Sequence, residues 1–308
     1  MKTEILIANA PCSYGAFEDT VGVQEGLPEP ERILDHIATS GYAGTDLGPL
    51  GWLGEGSSLA NALSSRGLGL AGGYLEMPFT QPDLMEDAMR ELGSLLSLFE
   101  IVVESSPQER RPKPTLADHG SRLRRANPGR AHEDRALGLD EQGWRDLAEG
   151  VRRALEACRE RGFEPAFHHH TTSHVEAPWE IERLLELTDV GLCLDTGHLL
   201  VGGGDPVQAL RDWGARINHL HIKDCRTDVI RNIVAERAPS EEVWRRHAFC
   251  RLGDGDLDLA SFLKGVLDRG FEGWMVVEQD GVLDETWPIE QAFEDQTHNR
   301  QFLQRLGF

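Results

Sequence analysis

The stretch from Gly191 to Cys225 constrains the fold more than any other. It holds two apolar runs, Gly-Leu-Cys-Leu-Asp195-Thr-Gly-His198 and Ile-Asn-His219-Leu-His221-Ile-Lys223-Asp224, joined by an amphipathic segment, Asp205 to Arg216. Strand, helix and strand at this spacing make a βαβ unit, whose parallel strands finish on the same edge of a sheet. Asp195 and His221 are therefore expected to meet. A carboxylate oxygen and an imidazole nitrogen suit a divalent ion, and further ligands should sit on neighbouring strand ends.

Two more runs have the same design. Glu164-Pro-Ala-Phe-His168-His-His170 ends in histidines, and Gly273-Trp-Met-Val-Val-Glu278-Gln-Asp280 ends in a carboxylate. Four strand ends bearing His, Asp, His and Glu predict one divalent metal ion, with Mn²⁺, Co²⁺, Zn²⁺ or Mg²⁺ as candidates.

Upstream, strand-like runs fall at Glu4 to Ala10, Gly44 to Gly48, Leu68 to Met77 and Ile101 to Ser105. Helical patterns lie between the runs, at 31–40, 58–66, 83–99, 140–161, 178–188, 205–216, 257–269 and 288–306, and several stop at glycine, as in Arg161-Gly162 and Arg269-Gly270. Gly just past a helix end is a favoured stop. Eight alternating units predict a single (β/α)₈ TIM barrel, α/β in class, over residues 1–308. Two segments are too long for plain connections, about 105–139 and 224–256. Both follow expected strands, so both should lie on the active-site face, where long loops act as lids.

Composition narrows the partners. The chain has 31 Lys plus Arg against 52 Asp plus Glu, a formal charge of −21, which repels phosphate backbones and anionic membranes. Neither nucleic acid nor a membrane is expected, no run reaches transmembrane length, and the apolar run at the start is too short for a signal peptide. Cysteines 12, 158, 193, 225 and 250 form no CxxC pair and read as free thiols of a cytoplasmic protein. A homo-oligomer is left open.

With these residues in view the chain resembles the xylose-isomerase-like TIM-barrel superfamily, the sugar phosphate isomerase/epimerase group that includes inosose dehydratases and ketose 3-epimerases. The resemblance rests on Asn9-Ala-Pro-Cys-Ser-Tyr-Gly15, Gly41-Tyr-Ala-Gly-Thr-Asp-Leu-Gly-Pro49, Asp195-Thr-Gly-His198, His219-Leu-His221-Ile-Lys223-Asp224 and Gly273-Trp-Met-Val-Val-Glu278. It implies one divalent ion held by a Glu on strand five, an Asp on six, a His on seven and a Glu on eight. Asp195, His221 and Glu278 match. Strand five departs, with histidines in place of the Glu. Period-two alternation puts His168 and His170 on one face and His169 on the other, so His168 is assigned to the metal and His170 to metal or substrate. A His-x-His pair here is similar to the inosose dehydratase branch and departs from the paired strand-five and strand-eight glutamates that the resemblance implies for ketose epimerases.

Enzymes of this group begin by removing a proton α to a carbonyl, which needs a base and a group that stabilises the enediolate. Glu278, His170 and His198 are the candidate bases. Lys223, on the same strand face as His221, is placed to neutralise the oxyanion or bind a hydroxyl; an ion pair with Asp195 or Glu278 is its alternative. Glu76, Glu104 and Trp52 are candidate substrate contacts, and Trp244 is a further stacking candidate, whereas Trp213 and Trp274 suit packing. The first reading is a metal-dependent sugar isomerase or epimerase acting on a polyhydroxy ketone in carbohydrate metabolism. A lyase of inosose dehydratase type, acting in inositol catabolism, is the alternative. A non-catalytic sugar-binding subunit and an endonuclease IV-like repair enzyme rank lower.

Overall fold

A computed structural model describes residues 5–106, 108 and 110–308. Residue 4, where the first strand was expected to begin, and positions 107 and 109 of the first long loop lie outside the described residues. The strands of the barrel are β1 (Ile5–Asn9), β2 (Gly44–Asp46), β3 (Gly69–Met77) and β4 (Lys113–Asp118). They continue as β5 (Ala166–His168), β6 (Gly191–Asp195), β7 (Ile217–Ile222) and β8 (Gly273–Val277). All pairings between them are parallel, and β1 pairs with both β2 and β8, so the described strands close into a barrel. Closure puts every strand's C-terminal end on one face, where barrel enzymes build their sites.

The helices lie outside, each burying one apolar face. Glu141–Glu160 shows how: Trp144, Leu147, Ala148, Val151, Ala154, Leu155 and Cys158 are buried at the 3–4-residue spacing that aligns one face, and Asp140 caps the start by accepting from the Gly143 N–H at 2.8 Å. The expected helices appear within a few residues of their predicted bounds, with one exception.

Strand four was misplaced. Ile101 to Ser105 is the last turn of a 21-residue helix, Met85–Ser105. Its buried residues Leu92, Leu95, Leu96, Phe99 and Val102 continue the helical spacing through the run read as a strand. The true β4 lies inside the segment expected to be a loop, hidden because it opens with Lys113 and Pro114. Glu104 therefore sits exposed on a helix that leads into the start of β4, away from the active-site face, and its assignment as a substrate contact is withdrawn.

Two arms cover the C-terminal face. One, after β4, carries the short helix Arg122–Arg125, whose Arg124 is fully buried and paired with Glu176 at 3.0 Å and Glu180 at 2.9 Å. The other, after β7, contains the helices Thr227–Glu236 and Glu241–Arg245 and a two-stranded ribbon pairing Asp224–Cys225 with Phe249–Cys250. Asp224 ties its base together. Its buried carboxylate accepts backbone N–H bonds from Cys225, Gly253, Gly255 and Leu257, at 2.9, 2.8, 3.1 and 3.1 Å.

Candidate active site at the C-terminal end of the barrel

His168, Asp195, His221 and Glu278 each offer one ligand atom, and these atoms all lie within 4.8 Å of one another. All four residues are buried. His168 Nε2 stands 3.2 Å from His221 Nδ1 and 3.4 Å from Asp195 Oδ2, and His221 Nδ1 is 2.9 Å from Glu278 Oε2. Two ring nitrogens facing each other between two carboxylates form a donor set that a divalent cation fits, with nitrogen and oxygen in equal number.

The neighbours orient these groups. Asp195 divides its oxygens: Oδ1 accepts from the backbone N–H groups of Gly197 and His198, capping the helix Thr196–Val201, while Oδ2 faces the cluster. His169 points the other way, as the strand alternation requires, and its Nε2 accepts from the Asp195 backbone N–H at 3.1 Å. Burial keeps His169 neutral, lowering its pKa to about 3.

Lys223 is the resident cation of the cluster. Its ammonium donates to Asp195 Oδ2 at 2.7 Å and to Glu278 Oε2, and lies 3.4 Å from Asp280 Oδ2. The ion-pair alternative for this residue is thus realised. Burial works against ionisation of both carboxyls, yet Lys223 and His198 around Asp195, and His221 and Lys223 around Glu278, hold them below the usual carboxylate range. Asp280 differs: burial pushes it up to about 6 despite Lys223.

His170 and His198 form a second imidazole pair beside the cluster, with ring centroids 4.0 Å apart. His198 Nδ1 meets the Thr171 hydroxyl at 2.9 Å, and its Nε2 lies 3.8 Å from Asp280 Oδ2. Burial first, then His168 beside His170 and His170 beside His198, holds both well below the ordinary imidazole value, so both are neutral at neutral pH. A neutral imidazole can accept a proton.

These groups line a cavity of ≈ 170 Å³ together with Cys12, Asp46, Tyr74, Glu76, Arg125 and Trp244. At the rim, Tyr74 donates from its hydroxyl to Glu76 Oε1 at 3.0 Å, and Arg125 stands 3.9 Å from Glu76 Oε2. Trp244 comes from the second arm and lies nearly parallel to His170, at 22°. Trp52 is absent from the lining and packs partly buried against the core, so Trp244 takes the place expected of it. A larger cavity, ≈ 550 Å³, opens at the other end of the barrel beside Lys113, Ile217 and Gly273, where strands begin.

Several lining residues were not anticipated. Asp280 was readable, standing two residues past Glu278 on the same strand face. Asp46 lay within the quoted strand-two motif without being singled out. Tyr74 and Arg125 carry no local signal.

The closed parallel barrel gathers a His/Asp/His/Glu cluster at the ends of β5 to β8, and the relatives that match this chain are named as enzymes acting on sugar-like substrates. The family model for the xylose isomerase-like TIM barrel matches residues 117–301, and the chain belongs to that family. An inosose dehydratase of Geobacillus kaustophilus is 30% identical over 278 residues, covering 89% of this chain and 87% of that protein. A second, from Clostridium tetani, is 27% identical, covering 86% of each chain. Among solved structures, the probable 3-DHS dehydratase of Bacillus anthracis superposes with a TM-score of 0.67 at 13% identity, over 97% of this chain and 98% of that one. A D-allulose 3-epimerase from Methylomonas sp., in complex with D-allulose, superposes with a TM-score of 0.66 at 12% identity, over 99% and 97%.

Proposed function

We propose that the chain is a divalent-metal-dependent lyase that removes water from a cyclic polyhydroxy ketone of the inosose type. This reverses the order of the two sequence readings, placing dehydration ahead of isomerisation or epimerisation. One observation carries it: the proton-transfer groups lie unequally around the cavity. An epimerase must remove a proton on one face of a carbon and return one on the other, which calls for two available groups. Here His170 and His198 are neutral and open to the cavity, while Glu278 is committed to Lys223 and His221. Elimination can be served by one group that takes the α-proton and hands it to the departing hydroxyl. The names of the relatives agree, since two proteins matched over most of their length are inosose dehydratases.

His168, Asp195, His221 and Glu278 would hold the metal, which when bound supplies Lewis-acid polarisation of the substrate carbonyl. His170 takes the α-proton through its neutral ring, with the His198 ring packed against it. The imidazolium then protonates the hydroxyl that leaves from the neighbouring carbon, so water departs and a carbon–carbon double bond forms. Lys223 keeps Asp195 and Glu278 ionised and supplies positive charge where the enolate develops. Trp244 and the arm that bears it exclude water above the site.

The test is an incubation with inosose in deuterium oxide. Dehydration yields an ultraviolet-absorbing conjugated dione. Exchange of the α-proton without loss of water would instead favour the epimerase reading.

A further inference from the structure

β2 is three residues long, and its pairing with β3 slips at its end: Thr45 is opposite Leu70, but Asp46 is opposite Gly72. Such an irregularity re-aims a side chain, and here it turns the Asp46 carboxylate toward the barrel interior. Gly72 makes the room. A Cβ added there would lie 3.0 Å from Asp46 Oδ2 and 2.8 Å from the Lys113 carbonyl oxygen.

The carboxylate is then held by one oxygen only. Oδ1 accepts from the Leu47 N–H at 2.7 Å, which fixes the rotamer. Oδ2 has no hydrogen-bond partner among the described residues, although Asp46 is only 3% exposed. Ring nitrogens of His219 and His221 approach within 4.8 Å without bonding to it. A buried acceptor in this condition is costly unless a donor arrives, and Asp46 lines the same cavity as His170, His198 and Glu278.

We propose that Asp46 is a substrate-binding residue, whose Oδ2 accepts a hydrogen bond from a ring hydroxyl and so selects a cyclic polyol ketone over the analogue lacking that hydroxyl. The identity of the ring rests on the lyase reading above. The logic is that of sites built around one polar contact: a deoxy analogue leaves the buried carboxylate unpaired, and discrimination of about 10⁴-fold is within reach of this device.

The experiment compares wild type with Asp46→Asn on inosose and on its monodeoxy analogues, one ring hydroxyl replaced by hydrogen in each. Asparagine keeps the oxygen that receives the Leu47 N–H and replaces the free acceptor by a donor. Wild type should discriminate against one analogue, and the variant should lose about 10- to 100-fold in kcat/KM on inosose, chiefly through KM, but little on that analogue. Metal content and melting temperature should match wild type. Equal losses on every analogue would overturn the proposal and leave the lyase reading standing. Loss of metal from the variant would also overturn it, because Asp46 would then act through His221. Wild type that dehydrates no inosose would bring down the lyase reading and this proposal with it.

Discussion

His170 and His198 face each other with ring centroids 4.0 Å apart, although one follows β5 and the other begins the helix after β6. Their ring environments differ. Both line the cavity, but His198 is bonded to the Thr171 hydroxyl and stands 3.8 Å from Asp280, whereas His170 is flanked by the Tyr74 and Trp244 rings. His170→Gln is therefore expected to lower kcat by about 10²- to 10⁴-fold with metal content unchanged, and His198→Gln by less. Near-normal rates in both variants would place the base elsewhere, with Glu76 next in line.

Metal retention should depend on all four cluster residues, but the variants must respect the double duty of Asp195. Asp195→Asn preserves an acceptor for the helix cap, whereas Asp195→Ala also removes that cap, at about 1 kcal/mol. Elemental analysis of Asp195→Asn and Glu278→Gln should show metal loss with the fold retained. Wild-type content in both would refute the ligand set.

Lys223 offers a test of charge balance. Replacing it by Met leaves Asp195, Glu278 and Asp280 facing one another without a cation, and such breakage of a buried pair costs about 3–5 kcal/mol. The melting temperature of Lys223→Met should fall in the presence of a chelator and recover more than wild type does on adding Mn²⁺. Equal metal-induced shifts in the two proteins would contradict this account.

Acid should destabilise the fold through its buried imidazoles. Burial lowers the pKa of His169 to about 3 and holds His198 and His219 well below the ordinary value. Unfolded, these rings take up protons near pH 6.5; folded, they do so only at much lower pH. The folded state thus binds fewer protons below pH 6.5, and the stability present above that pH is lost as pH falls toward the folded-state values. Each ring contributes up to about 1.4 kcal/mol per pH unit in that window. Denaturant midpoints that stay level from pH 7 to pH 5 in chelator would count against it.

The arm from residue 227 to 247 should close over a bound polyol, because Trp244 and Ser240 already line the cavity from it. Amide exchange there should slow when the polyol binds. Identical protection with and without ligand would make the arm a static wall.

What could be read from the chain follows how locally each feature is encoded. β5 to β8 announce themselves because a buried parallel strand is a short apolar run and its terminal side chains carry the chemistry. The alternation that separates His169 from His168 and His170 is equally local. β4 was missed because its neighbouring helix is apolar to the last turn, so the period rather than the hydrophobicity had to decide. Trp52 and Trp244 are indistinguishable as letters; which one reaches the cavity depends on how an arm of more than twenty residues folds back. Asp46 is visible as an acid at a strand end, but its free oxygen is created by a slip in register against β3 and by the missing side chain of Gly72, neither of which a single strand records.

Asp224 leaves one more consequence. By gathering four backbone amides from residues 225 to 257, it makes the arm after β7 begin and end at the same knot. Whatever is inserted, deleted or exchanged between those points adds loop without pulling on His221 or Lys223, since lengthening a closed loop costs little. The arm is thus a replaceable cassette: substrate range can drift through it over evolutionary time while the chemistry beneath stays anchored.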